Sequence, residues 1–560
     1  MTAVRRLITI LIALLTATTL FAQQAPAPRT TETPSAETDR DANDPRALKL
    51  SLDEAIGIAM QQNLGVQLQN YEYRIVGQNL RAQYGPFDFF TDGSIKHSYS
   101  DNPSTNPFEV NGGRSTVFTG GVQQLLPTGG NYRVEWDTSR STVAGGGTFV
   151  NPQYPAHLGF AFGQPLLRDF GIDVTRRSIS IARNNLGVTE GQFRTVVMDT
   201  VSGVNQAYLN LVYARRNIDV VKESLFLARD QARITQIRID VGASAPLDIL
   251  QPRVTIATSE EFLIRAVASV RNAEDTLRAL LNLPRSEWDR PIIPTDNVTY
   301  TPLQIDFNAA VQQALANRPE VLQQRLLTEN AKVNALYTRN QVLPLVDFVA
   351  GYGLRALAGR QTNTNVTPPV TTSVPYSQNF EQIFGLDFPS WNVGFNFGMP
   401  IRNIGARANA RAAQLDLEQS RASQAQTEQN IAVQVRSAAR AVDEFAQTIA
   451  ATRAARDAAE RNVEAERKRY ENGMTTNFQV LEVQQQLSDA RVRELSALVG
   501  YNQAVAAYHR AVGDILEVHN VRLDVPEKVE EPVLGRWLDR YNWLNYGNWV
   551  QEDGSKTEDK

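Results

Sequence analysis

The chain has 560 residues, of which 42% are hydrophobic, with 56 Lys and Arg against 60 Asp and Glu and a formal charge of −4. That slightly acidic balance argues against a nucleic-acid binder, which presents a basic surface. With no cysteine, the chain has no disulfide, thiol nucleophile, Cys-ligated metal or lipid-bearing N-terminal Cys.

Arg5 and Arg6 precede an apolar run that starts at Leu7, with a cleavage site after Ala22. Residues 1–22 read as a secretory signal peptide, too short for a membrane span; a buried first helix is the alternative. Residues 23–48, rich in Pro, Thr and Ala, read as a disordered linker. Repeat 1 covers 49–284. Ser51 and Glu54 have capping-box spacing and open a helix whose apolar face carries Ala55, Ile56, Ala59 and Met60 and which stops at Gly85-Pro86. Period-two patterns follow. Phe89, Thr91, Ile95 and Tyr99 alternate with Asp92, Ser94 and Lys96; Tyr132, Val134 and Trp136 with Arg133, Glu135 and Asp137; Leu158, Phe160 and Phe162 with Gly159, Ala161 and Gly163. One apolar and one polar face fits a membrane barrel, and equally a soluble sandwich. No later segment offers the ~18 apolar residues of a membrane helix, so any crossing is by strands.

From about Thr175 to Asp240 there is no Pro, and Val197, Val201, Val204, Tyr208, Leu211, Ile218, Val221, Leu225 and Ala228 recur at heptad-like spacing. A helix of that length spans roughly 100 Å, which suits a coiled-coil-like element. Gly242 ends it and a return helix runs from about Leu247 to Leu281. Residues 285–306 form an irregular connector. Repeat 2, 307–518, restates the order: Ala310, Val311, Ala314, Leu315 and Val321 match Ala55, Ile56, Ala59, Met60 and Val66 at a constant offset of 255. Strands are expected at Val346–Leu354 and Trp391–Phe397, with a polar loop over 355–389 between them. A second long helix runs from about Ile404 to Glu471, Gly473 breaks it, and a return helix reaches about Val518. Arg238, Gly242, Ser244 and Leu250 align without a gap with Arg469, Gly473, Thr475 and Leu481 at an offset of 231. Residues 519–560 are a Trp-rich C-terminal segment and tail.

His97, His157, His509 and His519 have no ligand-like spacing, and no phosphate loop, metal loop or nucleophile elbow is present. No catalytic, cofactor or metal site is expected, and the chain does not read as an enzyme.

A signal peptide followed twice by helix, strands, very long helix, tip and return helix resembles the TolC family of outer-membrane efflux proteins. The motifs are Leu50-Ser-Leu-Asp-Glu-Ala55, Gln164-Pro-Leu-Leu167, Leu280-Leu-Asn-Leu-Pro284 and the two Gly tips with Leu250 and Leu481. The resemblance implies an α+β membrane protein, a homotrimer whose strands share one transmembrane β-barrel in outer-membrane lipid and whose helices form a periplasmic α-barrel. It implies an equatorial layer from the connector and part of 519–545. It implies an export duct of a tripartite efflux pump or type I secretion system, with a periplasmic adaptor and an inner-membrane pump or secretion ATPase as partners. A non-transporting coiled-coil scaffold is the alternative. Carried over by position, Asp248, Tyr470, Gln479 and Glu482 are gate candidates, with a Tyr470–Asp248 hydrogen bond as the lock. Val241, Gly242, Ala243, Ser244, Gly473, Met474 and Thr475 are candidate adaptor contacts.

One departure stands out. Pro86 to Pro165 is 23 residues longer than Pro344 to Pro400. The excess holds Val117–Leu125, a Pro127-Thr-Gly-Gly130 turn and Tyr132–Thr138, a hairpin pattern. It either adds two strands to the family's usual four per chain, rises above the membrane, or is an ordinary loop.

Overall fold

A computed structural model describes residues 45–103, 110–145, 150–363 and 368–522. The signal peptide 1–22, the linker up to residue 44 and the tail from 523, with Trp537, Trp543 and Trp549, lie outside the described residues. Repeat 1 comprises β1 (Leu48–Leu50), α1 (Leu52–Gln62), α2 (Leu64–Ala82), β2 (Phe90–Asp101), β3 (Val110–Leu125), β4 (Asn131–Gly145), β5 (Val150–Pro165), α3 (Arg177–Asp240) and α4 (Leu250–Leu281). The connector holds β6 (Ile292–Pro294). Repeat 2 comprises α5 (Phe307–Asn317), α6 (Pro319–Asn340), β7 (Leu345–Asn363), β8 (Val370–Val374), α7 (Gln378–Phe384), β9 (Pro389–Gly398), α8 (Ile404–Glu471) and α9 (Asn477–Val512).

The first helix of each repeat is broken, where the apolar period predicted continuity. The break falls at Asn63 (φ −61°, ψ 126°) in repeat 1 and at Arg318 (φ −70°, ψ 126°) in repeat 2, positions related by the same offset of 255. Different chemistry makes the same kink. Asn63 Oδ1 accepts from Gly65 and Val66 N–H, an N-cap. In repeat 2, Pro319 occupies the first helical position, where its missing N–H costs nothing.

The heptad-like positions of α3 are buried, apart from the partly buried Val221; those from Val201 to Leu225 pack with Leu263, Val270, Leu277 and Leu281 of α4 and with Ile56 and Ala59 of α1, and Val197 packs with Val66 of α2. Each large aliphatic side chain so buried contributes ~1.5–3 kcal/mol. In repeat 2, Val435, Val442 and Ile449 of α8 pack the same way against α5 and α9. The connector is tied across this helical layer. β6 pairs in parallel with β1. Tyr208 Oη lies 3.0 Å from both Leu50 O and Asp296 Oδ2 and accepts from Asp296 N–H. Tyr501 repeats the device from α9, donating to Thr301 O at 2.6 Å and accepting from Leu303 N–H. Burial, then the Asp296 carboxylate, push the Tyr208 phenol up to about 12.

The longer strands form one antiparallel sheet in the order β2-β3-β4-β5-β7, with β9 and β8 end to end along the far edge of β7. β9 pairs with Leu345–Leu354 and β8 with Gly359–Asn363, so seven strands fill six positions. The expected loop over 355–389 is therefore structured: β7 runs on to Asn363, β8 returns, and α7 sits against β5 and β7. The 23-residue excess is a full hairpin. Tyr132–Trp136 is paired with Gln124–Gly120 on one side and with Phe162–Leu158 on the other, which rejects the loop and the projecting ornament.

Candidate functional site at the helical tips

Each long helix ends in the same hydrogen-bonded turn. In repeat 1, Ala243 N–H donates to Arg238 O and Gly242 N–H to Ile239 O; in repeat 2, Met474 donates to Arg469 O and Gly473 to Tyr470 O. This is a Schellman motif, whose C′ residue adopts the left-handed region that suits Gly; Gly242 has φ +75° and Gly473 φ +73°.

The return helices start differently, which explains the charge asymmetry between the repeats. The helix start in repeat 1 has Ala245, which has no hydroxyl, and Asp248 reaches back to accept from Ala245 N–H at 3.1 Å. In repeat 2 the equivalent residue is Thr476, whose Oγ1 accepts from Gln479 N–H. Each repeat uses one half of a capping box. Asp248 and Gln479 are both exposed, so each presents its side chain at the tip while its helix is capped by other means or by that same carboxylate. Glu482 is exposed too and shares a groove between α4 and α9 with its repeat-1 equivalent Gln251, beside Thr255, Thr258 and Gln485.

Tyr470 is elsewhere. It is buried, its ring lies 4.6 Å from the Arg238 guanidinium, and its hydroxyl lies 3.5 Å from Thr235 Oγ1. Arg238 Nη1 also donates to Tyr470 O at 2.6 Å, satisfying a carbonyl at the end of α8. Within the chain the expected Tyr470–Asp248 bond is not made, because Tyr470 points into the seam with α3 while Asp248 faces outward. Asn477 completes the seam, its Oδ1 accepting from Gln231 Nε2 at 2.7 Å. Among the expected docking residues, Val241 and Met474 are strongly exposed, as are Gly242, Ala243 and Gly473; Ser244 and Thr475 are half-buried.

At the other end of the chain the sheet has two chemically distinct faces. Register puts Ile95, Phe118, Val134, Trp136, Phe160, Tyr352, Trp391, Phe395 and Phe397 on one of them. Asp92, Arg133, Glu135, Asp137, His157, Arg355 and Asn392 lie on the other. A hollow of about 890 Å³ joins Asp137, Ser139, His157 and Arg355 of this face to Ala156 and Ala356 of the apolar face and to Gln382 and Phe388. The apolar face runs about ten residues along β7, from Val346 to Ala356. At ~3.3 Å per residue and a tilt near 40° that makes a band roughly 25 Å tall, the height of an outer-membrane lipid band. No helix among the described residues is long and apolar enough to cross a membrane.

A family model described as outer membrane efflux protein matches residues 114–283 and 310–514. The chain belongs to that family. Its place is the outer membrane, with its long helices extending into the periplasm. The chain is 22% identical to the pyoverdine export outer membrane protein OpmQ of Pseudomonas putida, over 70% of this chain and 75% of that one. It is 24% identical to the outer membrane efflux protein BepC of Brucella suis, over 39% of this chain and 46% of that one, so this match spans about half of the relative. Among solved structures, the Campylobacter jejuni CmeC outer membrane channel shares the fold with a TM-score of 0.61 at 16% identity, covering 89% of this chain and 90% of that one. CusC does so with a TM-score of 0.59 at 17% identity, covering 84% and 94%.

Two features escaped the sequence reading. Leu247 and Phe478, equivalent residues at the offset of 231, are both exposed at the start of the return helices (74% and 60%); an apolar residue beside each Gly tip was the available signal. Glu135, Asp137 and His157 bring their ligand atoms within 4.8 Å of one another. His157 lies across Gly159 and Gly353, where an added Cβ would come within 2.7 and 2.8 Å of its ring. This proximity depends on cross-strand register, which spacing along the chain does not reveal.

Proposed function

We propose that three copies of this chain close one β-barrel in the outer membrane and one helical barrel beneath it, forming a passive export duct. The observation that carries this reading is a lipid-faced sheet with two open edges, β2 on one side and β9 on the other. In lipid, a row of unpaired N–H and C=O groups costs several kcal/mol per group, so the edges must be closed. Pairing β2 of one copy with β9 of the next does so, and six strand positions in each of three copies make eighteen strands. Diameter grows with strand number, so this barrel is wider than the family's usual four strands per chain would make.

The tips form the periplasmic entrance. Asp248, Gln479 and Glu482, repeated by symmetry, line it with polar groups, and Glu482 supplies a negative ring that favours cations. Tyr470 acts by holding the two hairpins of its own chain together through Arg238. Val241, Gly242, Ala243, Ser244, Gly473, Met474 and Thr475, joined by Leu247 and Phe478, meet a periplasmic adaptor. That adaptor links the duct to an inner-membrane pump or secretion ATPase, which supplies the energy; the chain itself performs no chemistry. Outer-membrane extracts should yield a trimer that dissociates on heating and conducts ions in planar bilayers. A monomeric or non-conducting protein contradicts the reading.

A further inference from the structure

The lipid-facing side of the sheet is not a plain strand surface. α7 lies against it at the upper margin of the apolar band. Phe380 stacks on Trp136 with ring centroids 5.5 Å apart, and Ile383 is fully buried against Ala156, Leu354 and Ala356. Two polar contacts lock the helix down: Asn379 Nδ2 donates to Tyr154 O at 2.8 Å, and Tyr376 Oη donates to Thr138 Oγ1 at 3.1 Å. Between Tyr376, just before α7, and β3–β5 runs a groove of about 590 Å³, with Phe118, Gly120, Trp136 and Tyr376 as its floor and walls and Arg140 at its rim.

The height of the groove defines what can fill it. Ile95, Phe118, Thr138, Ala156 and Ala356 form the last apolar row of the band. Arg140 stands one row above, paired with Thr116, and Arg114 stands one row higher on the adjacent strand, over the Tyr99 ring. Both arginines are exposed, and neither has a carboxylate partner among the described residues. A cation just above an apolar slot in the lipid face is complementary to a molecule with an anionic head and an aliphatic tail.

We propose that this groove binds one anionic, phosphate-bearing lipid of the outer leaflet, with an acyl chain against Phe118, Trp136 and Tyr376 and its phosphate on Arg140 and Arg114. The inference rests on the apolar face meeting lipid, as in the proposed duct. The test uses the full-length protein extracted in mild detergent and native mass spectrometry. The probes are dioleoyl phosphatidylglycerol, dioleoyl phosphatidylcholine with the same chains, and inorganic phosphate. Wild-type protein should retain the anionic lipid over the zwitterionic one. The double variant Arg114→Ala, Arg140→Ala should lose that retention roughly tenfold, as expected for a lost pair of charge-assisted hydrogen bonds. Arg140→Lys should keep most of it, and inorganic phosphate should not displace the lipid. Equal retention by wild type and double variant overturns the proposal. So does equal binding of both lipids, which would make the groove a slot for chains alone, and so does displacement by inorganic phosphate, which would make it a simple anion site. Planar-bilayer conductance of the same preparations separates the two claims. Conducting protein without arginine-dependent retention defeats only the lipid site, whereas loss of conductance in wild type defeats the duct.

Discussion

The two repeats agree at their tips and disagree at their strands. Between Arg238 and Leu250 and between Arg469 and Leu481 there is no insertion, and the Schellman turns match bond for bond. Between the prolines that bracket the strands, repeat 1 carries an extra hairpin, β3–β4. A helical barrel fixes the length of every hairpin in its ring, because one longer copy would leave its tip unpacked. A sheet that closes between chains can take two more strands and remain closed, at a larger diameter. The comparison also separates geometry from chemistry: equivalent positions keep one conformation while the residues that stabilise it change.

That distinction yields predictions from the largest effect down. The connector is anchored in repeat 1 by a buried ionic cluster absent from the equivalent positions of repeat 2. Glu274 accepts from Arg278 and Arg215 and from Ile292 N–H, and Glu274 and Arg278 are both nearly inaccessible. Glu274→Ala leaves Arg215 without a carboxylate partner among the described residues and Arg278 with the exposed Asp275 alone, and should cost about 3–5 kcal/mol, read in denaturant melts of helical signal. A change confined to a few tenths would mean the repeats are anchored alike.

The equivalent arginines at the tips come next. Arg238 bridges the repeats through the Tyr470 ring and carbonyl, whereas among the described residues the Arg469 side chain pairs only with Glu466, one turn away on its own helix. Arg238→Ala should lower stability by about 1–3 kcal/mol and raise channel conductance; Arg469→Ala should stay below about 1 kcal/mol. Equal effects would remove the asymmetry on which the proposed gate rests.

The kinks differ in their response to acid. Burial opposes ionisation of Glu320, but the Arg318 hydrogen bond and charge, helped by Arg510, outweigh it and hold its carboxyl at about 2, against 4.5 unperturbed. A carboxyl depressed in the folded state contributes stability above its unfolded value and loses it as pH falls toward the folded one. Repeat 2 should therefore lose on the order of 1–2 kcal/mol, after allowance for solvent exposure, between pH 4.5 and about 2. Glu320→Gln should abolish that slope in acid melts, and Asn63→Ala in repeat 1 should leave it intact. Smallest of all, Gln479→Glu completes the capping box beside Thr476 and should stabilise the second tip by about 0.5 kcal/mol, seen as slower amide exchange at Asn477–Val480.

The sequence carried much of this architecture because its signals are local. A Gly after a long heptad run states a helix C′ position, and alternation bounded by Pro states a strand. The features it hid are those set by pairing between distant segments. The kinks at Asn63 and Arg318 were overlooked because the apolar period runs straight through them, although Pro319 was a local signal for the second. The contacts of Tyr470 within its own chain were hidden because its rotation about α8 is fixed by Arg238 across the seam. His157 looked solitary until the β4–β5 register put it beside Asp137 and Glu135. α7 was hidden in a stretch whose polarity suggested a loop, since its apolar set of Phe380, Ile383 and Phe384 is too short to display a period.

Electron cryomicroscopy of the detergent-extracted oligomer, viewed along the barrel axis, tests the central claim most directly. A closed ring of eighteen strands, with β2 of each copy against β9 of its neighbour, is the predicted result. A ring of twelve strands with β3 and β4 projecting outside it, or an unclosed single-chain sheet, would contradict it.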